Sequence, residues 1–428
     1  MRGTLIPLDP LIPLRGILRR DAARECRTVR LGLVGEKRVE SRCRHLSGML
    51  VMKKMVLMVL MMGAAVLLGR AEEGVAKYDS RMALEKAVVT NGVKWIDGKY
   101  MPIEGRMYED VDHYYDRLPM GMSTNINEGV RDMRHMTAGL QFRFRTNSKK
   151  VMFKWKPYND WLEMGHMPAT GVSGIDVYRF DEATGKWVYV NTGRVASFAE
   201  GGSLSVNWVP GEACLVNFPL YNGVKEMQVG IDEGASVEAL GPRKSGVNKP
   251  VVFYGTSITH GGCASRPGMA FVNVVGRDLD VPVVNLGFSG SGKMEIELAP
   301  IIGRIDASCY VLDTLWNMNA GLVKERYENF IRALRAARPG VPIVMAEKYV
   351  VAAYRVKDKD LVEMNEFVRK LYAKLVTEGW EEIYYLPADG MYWDDEGTVD
   401  TVHPNDWGMM SLAKGFEGIL QKALKLKR

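Results

Sequence analysis

Cysteine is scarce in this sequence of 428 residues, and the five cysteines are widely spaced. An odd, sparse set does not form a disulfide framework. The chain has no CxxC pair and no run in which Cys and His cluster, so the spacing predicts no zinc site and no other bound metal. We expect Cys214, Cys263 and Cys309 to be buried free thiols, with one disulfide between two of them as the alternative.

Long hydrophobic runs are also missing, except for one near the N-terminus. Met55 to Leu68 carries no charge, follows two lysines and precedes small residues that suit a cleavage site. The run is shorter than the roughly 20 residues that a membrane-spanning helix needs, and its layout is typical of a secretory signal peptide. We predict a signal peptide at residues 52–71, a non-native upstream extension at residues 1–51, and a secreted or periplasmic protein without a stable membrane span. An uncleaved anchor is the alternative.

The basic excess is confined to that same region. The net charge is +6, but residues 1–71 alone contribute +9, which leaves the rest of the chain at −3. Nucleic-acid binding relies on a concentrated basic surface, so this distribution argues against a nucleic-acid partner. The 47% hydrophobic and 25% charged residues are typical of a soluble globular protein and exclude disorder, collagen and coiled coil as the dominant state.

Residues 75–240 have the pattern of a β domain. Apolar and polar residues alternate from Leu140 to Arg145 and again from Val151 to Lys156, with a polar turn between them, which predicts a hairpin with one wet face. A second hairpin is predicted over residues 175–190, and a further strand over residues 226–231. Many short strands separated by turns indicate a β-sandwich, which we expect to be jelly-roll-like.

The pattern changes after a Gly/Pro-rich linker at residues 238–250. Five short, uniformly apolar strands alternate with helical stretches from residue 250 to residue 428. Such strands are typical of a parallel sheet covered on both faces, and ligands bind at the carboxyl ends of its strands. The predicted architecture is a three-layer α/β/α domain built on a parallel sheet, preceded by the β-sandwich.

Three residues in this half supply the groups of a serine hydrolase. Ser257 directly follows the first strand, and Asp400 precedes His403 by three residues. A serine hydroxyl needs a base to take its proton, and an acid on the other ring nitrogen orients that base. Candidate oxyanion donors also follow strands: Gly290, with Gly287 as the fallback, and the side-chain amide of Asn317.

These blocks resemble the SGNH (GDSL-like) hydrolases, in which Ser, Gly, Asn and Asp-x-x-His occur in this order. Ser257, Gly290, Asn317 and the Asp400/His403 pair match the four blocks, and Gly174-Ile175-Asp176-Val177-Tyr178 resembles the GxDLY motif of an N-terminal domain that accompanies one subgroup. Two positions depart from the family pattern: Thr256 stands in place of the usual Asp, and Met318 in place of the Asp that follows Asn.

The resemblance implies a flavodoxin-like order for the parallel sheet and a serine esterase that acts through an acyl-enzyme and needs no metal or organic cofactor. It implies Ser257, His403 and Asp400 as the triad. The backbone of Ser257 and Gly290, with the Asn317 amide, would then bind the oxyanion. An accessory β domain suggests acylated carbohydrate as the substrate, especially O-acetyl groups. A lipid or thioester acylhydrolase, and a carbohydrate-binding protein with an idle hydrolase domain, stay as alternatives.

The sequence also suggests residues that line the site. We expect His260 at the rim of the site and Trp316 and Met318 beside an acyl pocket, with core packing as the alternative for the last two. A second motif, Gly287 to Lys293, fits a phosphate-binding loop, but Met294 stands where Ser or Thr must bind Mg²⁺. The G-x-S-x-G elbow of α/β-hydrolases is absent from the sequence.

Overall fold

The computed structural model describes residues 87–349, 358–391 and 395–427. The predicted upstream extension and signal peptide, with Cys26 and Cys43, lie outside these residues. None of the helices in the described ranges combines the length and the hydrophobicity that a membrane crossing requires.

Residues 87–239, called here the β domain, form two antiparallel sheets. The first has the strand order β1-β2-β11-β5-β9-β8, and the second has the order β12-β4-β10-β6-β7 with β3 beside β4. The strands are β1 Val88–Thr90, β2 Val93–Asp97, β3 Ile103–Glu104, β4 Gln141–Thr146, β5 Lys150–Pro157, β6 Ile175–Asp181, β7 Lys186–Gly193, β8 Val195–Ser197, β9 Gly201–Asn207, β10 Ala213–Asn217, β11 Val224–Asp232 and β12 Val237–Ala239. Two short helices, α1 Glu128–Asp132 and α2 Ala169–Val172, lie between strands.

The predicted hairpin over residues 140–156 is wrong, although both of its strands exist. Strand β4 pairs with β10 and β12, whereas β5 pairs with β9 and β11, so the two strands belong to opposite sheets. Phe142 and Phe144 of β4 share one core with Phe153 and Trp155 of β5. The alternating pattern marks which face of a strand is buried, and it serves a strand in either sheet equally well. The second predicted hairpin is confirmed, because β6 and β7 pair in antiparallel fashion.

Residues 251–427, the α/β domain, contain one five-stranded parallel sheet. Its strand order is β14-β13-β15-β16-β17, the flavodoxin-like order that we predicted. The strands are β13 Val251–Gly255, β14 Val283–Gly287, β15 Cys309–Asp313, β16 Ile343–Ala346 and β17 Ile383–Leu386. The helices are α3 Ser257–His260, α4 Phe271–Asp278, α5 Leu298–Ile302, α6 Ala320–Ala337, α7 Lys359–Thr377 and α8 Asp406–Ala423.

Helices cover both faces of this sheet. Apolar side chains of α5, α6 and α7 pack on one face, and those of α4 and α8 pack on the other. Side chains of the β domain join both of these cores, including Leu118 on one face and Leu220 on the other. The β domain therefore contributes side chains to both cores of the α/β domain, and the core between its own sheets is a separate cluster.

The linker between the domains is fixed to both of them. Arg243 is nearly buried and forms ion pairs with Glu104 of the β domain and Asp280 of the α/β domain. The Asp280 carboxylate also accepts a hydrogen bond from the backbone of Lys244. The Gly/Pro-rich composition of this segment therefore belongs to an ordered connection and not to a flexible tether.

Candidate active site

The Ser257 turn begins where β13 ends at the carboxyl edge of the sheet. Thr256 is the N-cap of α3: its side chain accepts a hydrogen bond from the Ile258 N–H, and the Thr256 N–H donates to the Thr259 hydroxyl. This reciprocal arrangement is a capping box. Thr256 thus caps the turn that carries the serine, at the position where the family pattern has Asp.

The structure brings Ser257, His403 and Asp400 together. Ser257 Oγ lies 2.9 Å from His403 Nε2, and His403 Nδ1 lies 2.8 Å from Asp400 Oδ2. Because an ionised carboxylate can only accept, Nδ1 carries the proton and Nε2 is left to accept from the serine hydroxyl. This tautomer is the one that a general base requires.

Asp400 is fixed by the short loop that also carries the histidine. Its other carboxylate oxygen accepts hydrogen bonds from the N–H groups of Val402 and His403, at 3.0 and 2.7 Å. Thr401, which directly follows Asp400, has a positive φ of 67°. Partial burial raises the pKa of Asp400, but these hydrogen bonds and the His403 ring outweigh it and hold the pKa below its usual range. The carboxylate is therefore ionised and able to stabilise an imidazolium.

The oxyanion candidates lie on the loops after β14 and β15. Gly290 is exposed and has a positive φ of 64°. Within the part of the chain that the structure describes, the N–H groups of Gly290 and Ser257 donate to no protein acceptor. The N–H of Gly287 instead donates to Asn285 Oδ1 at 2.9 Å. Gly290 is thus better placed as an oxyanion donor than the fallback Gly287.

Asn317 holds the Gly290 loop in its present shape. Its side-chain amide donates to the carbonyls of Phe288 at 2.9 Å and Gly292 at 3.2 Å. Both amide hydrogens are therefore engaged. To donate to an oxyanion, the amide must first break the longer of these two bonds. Asn317 therefore has two roles, to hold the Gly290 loop and to bind the oxyanion.

The three predicted lining residues have different locations. His260 is fully buried and not at the rim: its Nε2 donates to the Leu220 carbonyl at 2.8 Å, and its ring stacks on Tyr221. Burial and the nearby Arg117 lower the pKa of His260, so it stays neutral. Met318 is buried in the core below the sheet edge. Trp316 is half-buried, with its ring beside Tyr349 and under the Lys348 ammonium.

The β domain contributes residues to this site that sequence reasoning missed. The Tyr221 hydroxyl donates to the Ser257 carbonyl at 3.1 Å, and burial raises the pKa of Tyr221 so that it stays a donor. A Cβ on Gly262 would lie 2.9 Å from the Tyr221 oxygen and 3.1 Å from the His403 ring, so Gly262 permits their close approach. No sequence motif marks Tyr221.

Arg117, also in the β domain, supports the strand that leads to the Gly290 loop. Its fully buried guanidinium donates to the carbonyls of Asn285 and Gly287, both at 3.0 Å. It also donates to the carbonyls of Met133 and Met136 in its own domain. Burial lowers the pKa of Arg117 to about 9. This one side chain therefore joins the β domain to the end of β14.

Asp176, the acid of the GxDLY-like motif, is a third link between the domains. It is completely buried and accepts hydrogen bonds from Arg266 at 2.7 Å and from the Gly268 N–H at 2.8 Å. Asn217 donates to its other oxygen at 2.7 Å. The motif therefore fixes the segment that follows the Ser257 turn and has no direct contact with the triad.

The cysteines are buried as expected, and one of them lies close to two histidines. Cys214, Cys263 and Cys309 are buried free thiols, as predicted. The sequence shows no Cys/His cluster, but the fold brings three such side chains together: His166, Cys263 and His403 each offer a ligand atom, and these atoms lie within 4.8 Å of one another. His166 comes from the β domain, so the chain order could not reveal this group.

Comparison with known proteins agrees with this architecture. Residues 248–421 match the GDSL-like lipase/acylhydrolase family, and residues 93–237 match the GxDLY family, the N-terminus of SGNH-type esterases. No curated protein matches the chain in sequence.

Solved structures resemble the chain over both domains. A protein described as a GDSL-like lipase from Bacteroides ovatus has 26% sequence identity and a TM-score of 0.68, over 78% of this chain and 99% of that one. The salicylyl-acyltransferase SsfX3 from a tetracycline biosynthetic pathway has 17% identity and a TM-score of 0.62, over 78% and 98%. A family two carbohydrate esterase from Cellvibrio japonicus has 11% identity and a TM-score of 0.52, over 78% and 98%.

The last two similarities show a shared fold. With the motifs of both domains matched in order, the chain belongs to the SGNH (GDSL-like) hydrolases that carry an N-terminal GxDLY domain.

Proposed function

We propose that this esterase hydrolyses short acyl esters, and specifically O-acetyl groups on carbohydrate, through a covalent acyl-enzyme on Ser257. The observation that carries the proposal is the continuous pair of hydrogen bonds from Ser257 through His403 to Asp400. This arrangement supplies a nucleophile, a base and an orienting acid at the ligand-binding edge of the sheet.

The chemistry follows in two balanced steps. Ser257 Oγ attacks the ester carbonyl while His403 takes its proton, and His403 then returns that proton to the leaving sugar hydroxyl. Water next attacks the acyl-enzyme, again with His403 as base, and acetate and the free serine result. The Ser257 and Gly290 N–H groups and the Asn317 amide stabilise the oxyanion that forms in each step.

The triad lies close to the surface of the protein. The exposed fraction of the side chain is 38% for Asp400 and 21% for His403, while Ser257 is 8% exposed. Met318 and His260, two of the predicted lining residues, are buried in the interior. A substituent on a large polymer reaches a site near the surface more easily than one at the bottom of a deep cavity, which supports an acyl group carried by a polysaccharide.

An exposed aromatic side chain close to His403 in the sequence supports a sugar substrate. Trp407 is 64% exposed and lies in the first turn of α8, four residues after His403. An exposed indole offers a flat apolar face on which a pyranose ring can stack. We propose that Trp407 forms part of a sugar subsite, while the ester itself binds at Ser257.

A panel of substrates tests this function. We expect turnover of p-nitrophenyl acetate and of acetylated xylan, with rates that fall steeply as the acyl chain of the p-nitrophenyl ester lengthens. Trp407→Ala should raise KM on acetylated xylan and leave p-nitrophenyl acetate unchanged, with Val376→Ala, at another exposed helical site, as the matched control. A preference for long acyl chains would instead indicate a lipid acylhydrolase, and no turnover of any ester would indicate an idle domain.

We also propose that the protein is exported, on the sequence pattern of residues 52–71. N-terminal sequencing of protein recovered outside the cytoplasm should begin at Glu72. Recovery in the membrane fraction with Lys53 still attached would favour an uncleaved anchor.

A further inference from the structure

The proposed catalytic base, His403, belongs to a cluster of side chains that carry metal-ligating atoms. His166, Cys263 and His403 each present one ligand atom, and the three atoms lie within 4.8 Å of one another. The His166 and His403 rings are 5.7 Å apart between centroids. The three residues come from distant parts of the chain, so folding alone creates the cluster.

Each member is held in a different way. His166 is exposed at the tip of a tight turn that two hydrogen bonds between Met164 and Met167 close, both of 3.0 Å. Cys263 is 5% exposed and lies in the turn after α3 with a φ of 71°. His403 is fixed by the triad contacts. Rotation of the exposed His166 ring is therefore the smallest movement that brings the three ligands to one ion.

The ligand set selects a class of metal. A thiol with two imidazoles suits Zn²⁺ and other thiophilic divalent ions, whereas Mg²⁺ and Ca²⁺ prefer oxygen ligands. Zn²⁺ commonly takes three protein ligands and one water. Asp400, whose charge acts on Cys263, adds a negative potential that favours a cation at this position.

We propose that His166, Cys263 and His403 form a binding site for a thiophilic divalent cation such as Zn²⁺, and that the bound ion reversibly inhibits the esterase. The metal site stands on its own geometry, and the inhibition rests on the proposed function.

Binding of the ion to either ring nitrogen of His403 inhibits the enzyme. Nε2 lies against Ser257 Oγ, and Nδ1 lies against Asp400 Oδ2. A metal on Nε2 removes the acceptor for the serine proton, and a metal on Nδ1 displaces the orienting acid. Metal binding and catalysis therefore exclude each other.

Binding also displaces the Cys263 proton. The thiol releases this proton to solvent as the metal–sulfur bond forms. Removal of the ion by a chelator returns a proton to the sulfur, so a chelator should restore the active triad.

A second group of possible ligands provides a matched control. Asp112, His113 and His135 also lie within 4.8 Å of one another in the β domain. There, Arg134 already pairs with Asp112 at 3.1 Å, and Asp116 already binds His135 Nδ1 at 2.8 Å. A cation at that place meets a guanidinium and an occupied nitrogen, and the group contains no thiol.

The first test uses Co²⁺ as the probe, because a bound thiolate gives an absorption band from charge transfer to cobalt. Titration of the full chain with CoCl₂ should produce this band with a stoichiometry of one, and ZnCl₂ should abolish it. Cys263→Ser should show no band, while Cys214→Ser and His113→Ala should behave like the wild type. This readout does not depend on esterase activity, so it stands if the proposed function fails.

The second test measures inhibition of p-nitrophenyl acetate hydrolysis by ZnCl₂, with EDTA to reverse it. His166→Ala and Cys263→Ser should keep the activity seen without metal. Each should raise the ZnCl₂ concentration needed for half-inhibition by about 10- to 100-fold, because loss of a residue that merely supports a metal ligand already lowers metal affinity by that factor. His113→Ala should be inhibited like the wild type.

Three outcomes would overturn the proposal. The first is no cobalt–thiolate band in the wild type, and the second is a band that persists in Cys263→Ser. The third is a band with full activity at saturating metal, which would refute the inhibitory role of the site. An inactive enzyme that still gives the band would count against the proposed function and leave the metal site supported.

Discussion

The hydroxyl of Tyr221, a residue of the β domain, donates a hydrogen bond to the backbone carbonyl of Ser257 at 3.1 Å. The Tyr221 ring also stacks on His260, 4.2 Å away between ring centroids. The β domain is therefore in direct contact with the turn that carries the proposed nucleophile, and it does more than tether the enzyme to a substrate.

Tyr221→Phe should lower kcat for p-nitrophenyl acetate while KM stays nearly constant. The substitution keeps the ring stack and removes the hydrogen bond to the Ser257 carbonyl, along with the contact to the Ser289 side chain, so a loss of about 1 kcal/mol, or about fivefold in rate, is expected. Steady-state kinetics measure it, with Tyr189→Phe, on the exposed surface of β7, as the control. An unchanged kcat would mean that the bond does not position Ser257.

Asn317→Ala should lower kcat much more than it raises KM. The amide binds the oxyanion more strongly as negative charge develops, and loss of one such donor costs roughly 10²–10³ in kcat. An effect confined to KM would assign Asn317 to substrate binding, and its contacts with Phe288 and Gly292 would then be its main role.

Asp176→Asn should destabilise the whole chain. It leaves Arg266 without its buried carboxylate, and breaking a buried pair in this way costs about 3–5 kcal/mol. Thermal unfolding measures the change. Lys249→Ala removes an exposed pair with Asp306 and should shift the free energy of unfolding by less than about 1 kcal/mol. Equal shifts in the two variants would refute the structural role of the buried motif.

The triad was predictable from sequence because each member is tied to a local signal. Ser257 and Asn317 follow apolar strands whose carboxyl ends share one edge, and three residues separate Asp400 from His403. Strand order then determines that these loops meet. The sheet was predictable as parallel and covered on both faces, because its five strands are apolar throughout and have no polar face.

The residues that the β domain contributes to the site were not predictable in the same way. Tyr221 and His166 belong to no motif, and their roles depend on how two domains pack. The pairing of β4 and β5 failed for a related reason: an alternating strand reveals its buried face but not its neighbours. His260 was misplaced because three residues of separation from Ser257 place it behind the helical turn, in the buried interior.

Asp313→Asn should stabilise the protein at alkaline pH relative to the wild type. Burial raises the pKa of Asp313 to about 7, and the hydrogen bond from Thr259 offsets this only in part. In the unfolded chain, Asp313 ionises at its ordinary pKa of about 4. Below that pH, the residue is protonated in both states and its ionisation does not change the free energy of unfolding. Between about pH 4 and pH 7, ionisation of the unfolded state lowers the free energy of unfolding progressively, by at most about 4 kcal/mol.

Urea unfolding at pH 5 and pH 8 measures this difference. The variant should gain more stability over the wild type at pH 8 than at pH 5, because an amide does not ionise. A difference between the two proteins that is the same at both pH values would show that Asp313 does not titrate in this range.

The most direct test of the account is the rate of p-nitrophenol release from p-nitrophenyl acetate by Ser257→Ala. We predict a fall of at least about a thousandfold relative to the wild type, since Ser257 Oγ is the nucleophile that contacts His403 Nε2. Ser205→Ala, on an exposed strand, should keep the wild-type rate, and both variants should keep the wild-type circular dichroism spectrum. A folded Ser257→Ala protein that retains wild-type turnover would contradict the proposed mechanism.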